Sequence, residues 1–332
     1  MSPRPLPRLS RSTVQELSLA AVTALVCIVF SLLSDRFADI DNLRNVVLQA
    51  SPTVIAAVGV TFVIATRGID LSVGSILNLA LCTAVMFSGT RIEAELTTRT
   101  TWLVYPVALG AGMLLGMLNA QLIIRCKLSP LIATLGTLTL YRGLAQHLTS
   151  ASLIAVSGPV LWFGRAQILS VGLPVIVAAL TVLAGWLFLT RTVWGRQVLA
   201  LGSSPRSAVE TGIESARLLT LVYGLAGLCA AMAGLIVVGR VGVVNQDLGF
   251  GFEFTVITAV VLGGTSLFGG RASLLGSMMG AVLLTLVDNG LNLIGANPYL
   301  YDVVRGLVLV GAVSADAAAR RARERRAAAV SV

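Results

Sequence analysis

At 332 residues, with 56% hydrophobic and only 12% charged side chains, this chain lies far from a soluble domain, where about a quarter of residues are charged. Its net charge of +9 would suit nucleic acid, but the arginines sit at the chain ends and in some of the loops, the positive-inside pattern of a membrane protein, so nucleic acid is set aside as a partner. The one lysine between residues 17 and 313, Lys127, stands between Cys126 and Leu128 with no glycine ladder before it, which excludes a phosphate-binding loop; if ATP drives this protein, another chain hydrolyses it.

The apolar run 17–33 is the first of ten expected membrane helices. The others are 46–66, 70–87, 102–124, 130–149, 171–190, 218–238, 254–268, 272–290 and 299–315. Long runs with almost no charge read as helices, because in lipid each backbone polar group must be satisfied within its own segment. A barrel would show short alternating strands instead. The expected fold is therefore all-α and polytopic: a cytoplasmic tail 1–16, one membrane domain 17–315 containing a cytoplasmic loop 191–217, and a basic tail 316–332. The first run is followed by Ser34-Asp35-Arg36-Phe37 rather than a small-residue cleavage site, so it is kept as a membrane helix.

Charge gives the orientation. Arg4, Arg8 and Arg11 place the N-terminus inside. Alternation then puts the loop 34–45, with Asp35, Asp39 and Asp41 against Arg36 and Arg44, outside. Arg125 and Lys127 fall inside, as do Arg191, Arg196, Arg206 and Arg217 of the long loop and the terminal Arg320, Arg321, Arg323, Arg325 and Arg326. Cys27, Cys82, Cys126 and Cys229 are far apart and form no CxxC; three of the four lie in apolar runs as small core residues.

Two connections are unusually tight. One holds Gly68 and Asp70 and leads into Gly74; the other holds Gly263, Gly264, Gly269 and Gly270. Glycine there permits positive φ and close backbone approach. The eighth segment, 254–268, is short, as a broken or re-entrant helix would be; non-helical backbone survives at membrane depth only where protein or a water cavity covers it. Plain packing of helices through small residues accounts for part of the glycine pattern.

Within the loop 191–217, Ser204 suits a helix N-cap, Pro205 the first helical position and Gly212 the stop. The helix so defined, with Arg206, Ala208 and Glu210, is two turns long and marginal alone in water. It reads as a docking knob for a cytoplasmic partner, against the plainer alternative of an amphipathic helix resting on the bilayer.

These residues resemble a known family. Gly68-Ile69-Asp70-Leu71-Ser72-Val73-Gly74-Ser75, Ser129-Pro130-Leu131-Ile132-Ala133-Thr134-Leu135-Gly136-Thr137 with Arg142-Gly143, the block 259–270, and Asn289-Gly290-Leu291-Asn292-Leu293 are similar in type and order to the ribose-type, or carbohydrate-uptake-2, permeases of ATP-binding-cassette importers. The resemblance covers roughly 45–310. It implies a permease subunit paired with a second copy or a sister permease. It also implies ATPase subunits docked below, which hold ATP and magnesium, and an extracytoplasmic sugar-binding protein above. The chain itself would bind no cofactor or metal and would sit in the bacterial inner membrane with both termini inside. The family's coupling segment matches 202–213, with Gly202-Ser203-Ser204 and Ala208-Val209 in place of the usual Gly-x-Asn and paired alanines, a departure shared with sister permeases for rhamnose-like sugars or autoinducer-2. Phe252-Glu253-Phe254 departs from the usual Tyr-Glu-Leu.

Ionisable side chains inside spans are costly and are usually functional or paired. Arg142, Asp288 and Arg305 stand out, with Asp302 at the i,i+3 position to pair with Arg305. Asp288, Asn289 and Asn292 cluster near the outer end of the ninth span and, with Arg142 and the weaker Asn78 and Gln49, are the expected lining of a path for a hydroxyl-rich solute. Interhelical hydrogen bonding is the alternative use for them. His147 stands alone, and no HExxH, GxSxG or CxxC appears, so no enzyme is expected. The segment 150–170, with Pro159, Trp162 and Phe163, faces outside, where a binding protein would meet it. A branched-chain amino acid permease and a gradient-driven carrier using Asp288 are the competing expectations.

Overall fold

The computed structural model describes residues 11–92, 97–297 and 299–330. Arg4 and Arg8 lie outside these residues, as do the side chains of Arg11 and of the terminal arginines from Arg320 on. Thirteen helices and six short strands make up the described chain. Six helices are long and apolar enough to cross a membrane. They are α1 (Arg11–Leu33), α2 (Ile40–Ala65), α4 (Val104–Arg125), α7 (Leu173–Arg191), α10 (Ser215–Val241) and α12 (Leu274–Leu293). Two more are apolar but shorter: α3 (Val73–Ser88) with 16 residues and α11 (Phe252–Leu262) with 11. Helix α5 (Pro130–Leu148) is diluted by threonines, Arg142 and His147, and α13 (Tyr299–Val330) runs on into the basic tail. The protein is an all-α polytopic membrane protein, and each expected segment overlaps one of these ten helices.

Boundaries differ where local chemistry intervenes. The eighth segment was expected to reach 268, yet α11 stops at Leu262. There Gly264 takes φ +91°, its N–H donates to Val261 O at 2.9 Å, and Thr265 N–H donates to Val260 O at 3.2 Å. That pair of bonds is the Schellman arrangement, which needs a left-handed residue after the helix. The last helix was expected to end at 315 and instead continues to Val330, into the basic segment.

The core forms where α2, α3, α4 and α10 meet. Helix α2 is buried along its whole second half and contains Pro52, which cannot donate to Leu48 O; Arg240 of α10 supplies a donor to that carbonyl at 3.3 Å. Helices α4 and α10 meet through glycine. A Cβ on Gly116 would lie 2.1 Å from Tyr223 O, and one on Gly227 would lie 2.1 Å from Gly112 O. Such small-residue seams let backbones touch where lipid offers no hydrophobic drive between helices.

The two ends of the bundle differ. At one end β1 (Gly89–Ile92), β2 (Thr97–Thr100), β3 (Ile154–Ser157) and β6 (Val243–Val244) form a four-stranded sheet in the order β1-β2-β3-β6. The β2–β3 pair is parallel and the other two are antiparallel. Helix α6 (Pro159–Arg165) and the hairpin β4 (Gln167–Ile168) and β5 (Val171–Gly172) complete this end. At the other end lie both tight turns and two short helices, α8 (Val193–Ser203) and α9 (Pro205–Glu210).

Candidate functional site

Two features have functional geometry: a charged cleft within the helices and a helical knob at the end opposite the sheet. The cleft begins where the chain leaves β6. Gly249 and Gly251 both take positive φ, +76° and +73°, and turn the chain back into the bundle to start α11. Gly74 of α3 makes room for this return: a Cβ there would lie 2.2 Å from Gly249 O and 2.4 Å from a carboxylate oxygen of Glu253. Glu253 is 3% exposed, and Arg142 of α5 approaches it to 3.8 Å. The Arg142 guanidinium also lies over the Phe250 ring, 4.8 Å from its centroid. Arg305 of α13 forks between Asp288 of α12 and Asp302, the latter at 3.3 Å.

These side chains line one cleft of about 540 Å³, which includes Arg142, Phe250, Glu253, Phe254, Asp302 and Arg305. A neighbouring recess of about 260 Å³ shares Phe250 and Arg305 and adds Gln49, Thr53 and Asp288. Two guanidinium groups therefore stand among three carboxylates. Arg142 Nη2, Glu253 Oε2 and Arg305 Nε are buried and have no hydrogen-bond partner among the described residues. Buried polar groups normally find partners, so unspent capacity in a cleft is capacity for a polar solute or for water.

The expected path residues separate on folding. Arg142 and Asp288 reach the cleft and its recess. Asn289 instead makes a reciprocal amide pair with Asn42 at the start of α2, both bonds at 2.9 Å. Asn292 is exposed, so the shared helix face does not bring it to the same partners. Asn78 is 1% exposed and holds the returning chain, donating to Asn245 O and Gln246 O at 3.4 and 3.3 Å. Glu253 and Phe250 were not among the expected residues; a carboxylate inside the apolar run 252–262 was the signal for the first.

A second polar cluster is built on Asp70, expected only as part of the first tight turn. Asp70, 1% exposed, accepts at Oδ1 from Ser72 N–H at 2.9 Å and from Ser72 Oγ at 2.6 Å. Asn119 Nδ2 of α4 donates to Ser72 Oγ at 2.7 Å, and Tyr141 OH of α5 reaches Asn119 Oδ1 at 3.1 Å. The chain Tyr141–Asn119–Ser72–Asp70 ties the first tight turn to α4 and α5. Tyr141 precedes Arg142, so α5 presents one residue to this network and the next to the cleft.

At the knob, Thr192 caps α8 by accepting from Gly195 N–H at 3.0 Å. The loop 191–217 thus holds two helices where one was expected. Ser204 caps α9, accepting from Ser207 N–H at 3.4 Å. Gly212, at φ +85°, ends it: its N–H donates to Val209 O at 3.0 Å, and Ile213 N–H donates to Ala208 O at 3.0 Å. Helix α9 has six residues, shorter than the two turns expected. Ala208 is buried beneath it, while Val209, Arg206 and Glu210 face out, the last two paired at 3.1 Å. Packing against the chain's own core explains how so short a helix persists.

The second tight turn reaches the same place. Gly263 is packed on α12, where a Cβ would lie 2.3 Å from Gly276 C. Gly269 and Gly270 take φ +75°, and Gly270 N–H donates to Ala65 O at 2.9 Å. Gly202 fits only as glycine, since a Cβ would lie 1.8 Å from Ala65 O. Gly68 leaves room for the Tyr223 hydroxyl, 2.7 Å from where its Cβ would be. Positive φ is thus the reason for Gly264, Gly269 and Gly270, and close approach the reason for Gly68, Gly74 and Gly263.

Apolar helices long enough to cross lipid, closing on a cleft of paired charges, define a helical membrane permease. The family model described as branched-chain amino acid transport system / permease component matches residues 42–313, and the chain belongs to that family, on its carbohydrate-uptake branch. The ribose import permease protein RbsC of Escherichia coli K12 is 36% identical over 308 residues, covering 91% of this chain and 94% of its own. The Bacillus subtilis ribose import permease is 37% identical, covering 88% and 89%. The galactofuranose transporter permease protein YtfT of E. coli K12 is 36% identical, covering 80% and 76%. No solved structure matches the chain.

Proposed function

We propose that this chain is the membrane-spanning permease subunit of an ATP-driven importer of a monosaccharide. The observation that carries the reading is the cleft. In the cleft the Arg142 and Arg305 guanidinium groups balance the carboxylates of Glu253 and Asp302, unpartnered donors and an acceptor remain, and the Phe250 and Phe254 rings lie beside them. That combination suits a neutral, hydroxyl-rich solute better than an ion. The names of its relatives, import permeases for ribose and for galactofuranose, support the same class. Asp288, which a gradient-driven carrier would have to use, is spent on Arg305.

In this reading the chain performs no bond chemistry. Partner ATPase subunits hold ATP and magnesium and dock at α9; a second permease copy or a sister permease completes the path; a binding protein delivers the sugar at the sheet end. The protein sits in the bacterial inner membrane with both termini inside, and the membrane domain 17–315 is the transport unit.

Uptake by proteoliposomes carrying the chain with its ATPase, permease partner and binding protein tests this, using labelled D-ribose, D-allose and D-galactose. Import that needs both internal ATP and the binding protein is expected. Import by this chain alone on an ion gradient overturns the reading. Ala208→Glu, which places charge under the knob, is expected to abolish uptake while ATPase activity persists.

A further inference from the structure

One arginine stands where the fold asks for glycine. Three segments at the knob end stop in the same Schellman arrangement. Helices α9 and α11 use Gly212 and Gly264 at the left-handed position. Helix α2 uses Arg67, at φ +67°: its N–H donates to Ile64 O at 3.0 Å, and Gly68 N–H donates to Val63 O at 3.0 Å. Glycine is the usual residue at this position because a Cβ is disfavoured there, so the side chain needs its own explanation.

The explanation is what the guanidinium holds. Arg67 Nε donates to Gly202 O at 2.6 Å and Nη2 donates to Ser203 O at 2.7 Å. These are among the last carbonyls of α8, the negative end of its dipole, where a cation is favoured. Space is kept for the arginine from the other side: a Cβ on Gly269 would lie 2.4 Å from Arg67 Cγ. Three elements therefore meet at one side chain: the end of α2, the end of α8, and the turn between α11 and α12. Ser204, the cap of α9, is the next residue after the carbonyl that Arg67 holds. Three residues beyond Arg67 lies Asp70, the start of the hydrogen-bonded chain to α4 and α5.

We propose that Arg67 is the latch through which movement of the α8–α9 knob reaches the membrane helices. It is a positioning residue, acting through the tight turn rather than on the solute, and the inference rests on the importer reading above.

The variants are Arg67→Gly, which relaxes the backbone and so keeps the fold, and Arg67→Lys, which keeps the charge but not the two-pronged grip. In the reconstituted importer, Arg67→Gly is expected to lower sugar uptake by about tenfold or more while ATPase activity stays within about twofold, the loss of two charge-assisted bonds being felt in coupling. Arg67→Lys is expected to recover part of the uptake. Wild-type uptake by Arg67→Gly, or uptake and ATPase activity falling in equal proportion, overturns the latch. In the isolated chain, amide exchange in Arg67→Gly is expected to rise at 66–72 and 200–204 and nowhere else. Unchanged exchange there overturns the latch whatever the protein transports, whereas wild-type chain that shows this latch but no ATP-driven import overturns the importer reading alone.

Discussion

Glu253 is the most exacting residue in the cleft. It is almost fully buried, its cation stops at 3.8 Å, and its second oxygen has no hydrogen-bond partner among the described residues. A buried pair of this kind contributes little net stability, but losing one member strands the other. Glu253→Gln is expected to cost about 2 kcal/mol, below the value for a fully buried pair because Arg142 is 21% exposed. Thermal unfolding in detergent reads this. Adding Arg142→Met to Glu253→Gln is expected to restore most of the loss, since no unpaired charge then remains, and a strictly additive double variant would refute the coupling. None of this pairing could be read from the chain, because α5 and α11 are far apart in sequence and no local rule links them. What the sequence does carry is the cost of an ionisable group in an apolar run, which singled out Arg142, Asp288 and Arg305 and applied equally to Glu253. Asn289 and Asn292 show the limit: sharing a helix face says nothing of which neighbour covers each end of that face.

At the scale of elements, the knob shows which signals are local. Ser204, Pro205 and Gly212 carry their meaning in backbone geometry, so a helix starting and stopping there was legible. Helix α8 was not, because its mixed Val193-Trp194-Gly195-Arg196 start reads as loop until Thr192 is seen capping it. The end of α11 was misplaced because glycine inside an apolar run can pack or can stop a helix, and only its neighbours decide. Ser204→Ala removes the cap of a six-residue helix, and Gly212→Ala puts a Cβ at φ +85° in otherwise open space. Each is expected to destabilise α9 by about 1 kcal/mol. Faster amide exchange across 205–210, with the spans unchanged, is the result that bears this out.

For the whole molecule, the two ends make opposite claims on the two sides of the membrane. Cys126 is the one exposed cysteine; Cys82 and Cys229 are buried and Cys27 is half-buried. It follows α4 beside Lys127, at the knob end. A membrane-impermeant maleimide is expected to label wild-type protein in inside-out vesicles and not in right-side-out ones, and the reverse pattern would invert the topology. Helix α11 bears on another property of the membrane. Its 11 residues rise about 16 Å, roughly half of a hydrocarbon core about 30 Å thick. The irregular chain 245–251 that leads into it borders the cleft, so apolar helix fills only part of the depth there. The resting voltage then falls over a shorter distance, and the field acting on the charges of the cleft is steeper than in the surrounding lipid. In the importer reading, the cleft that passes the sugar is then also the electrical weak point of the protein, and its closed state has to insulate as well as block.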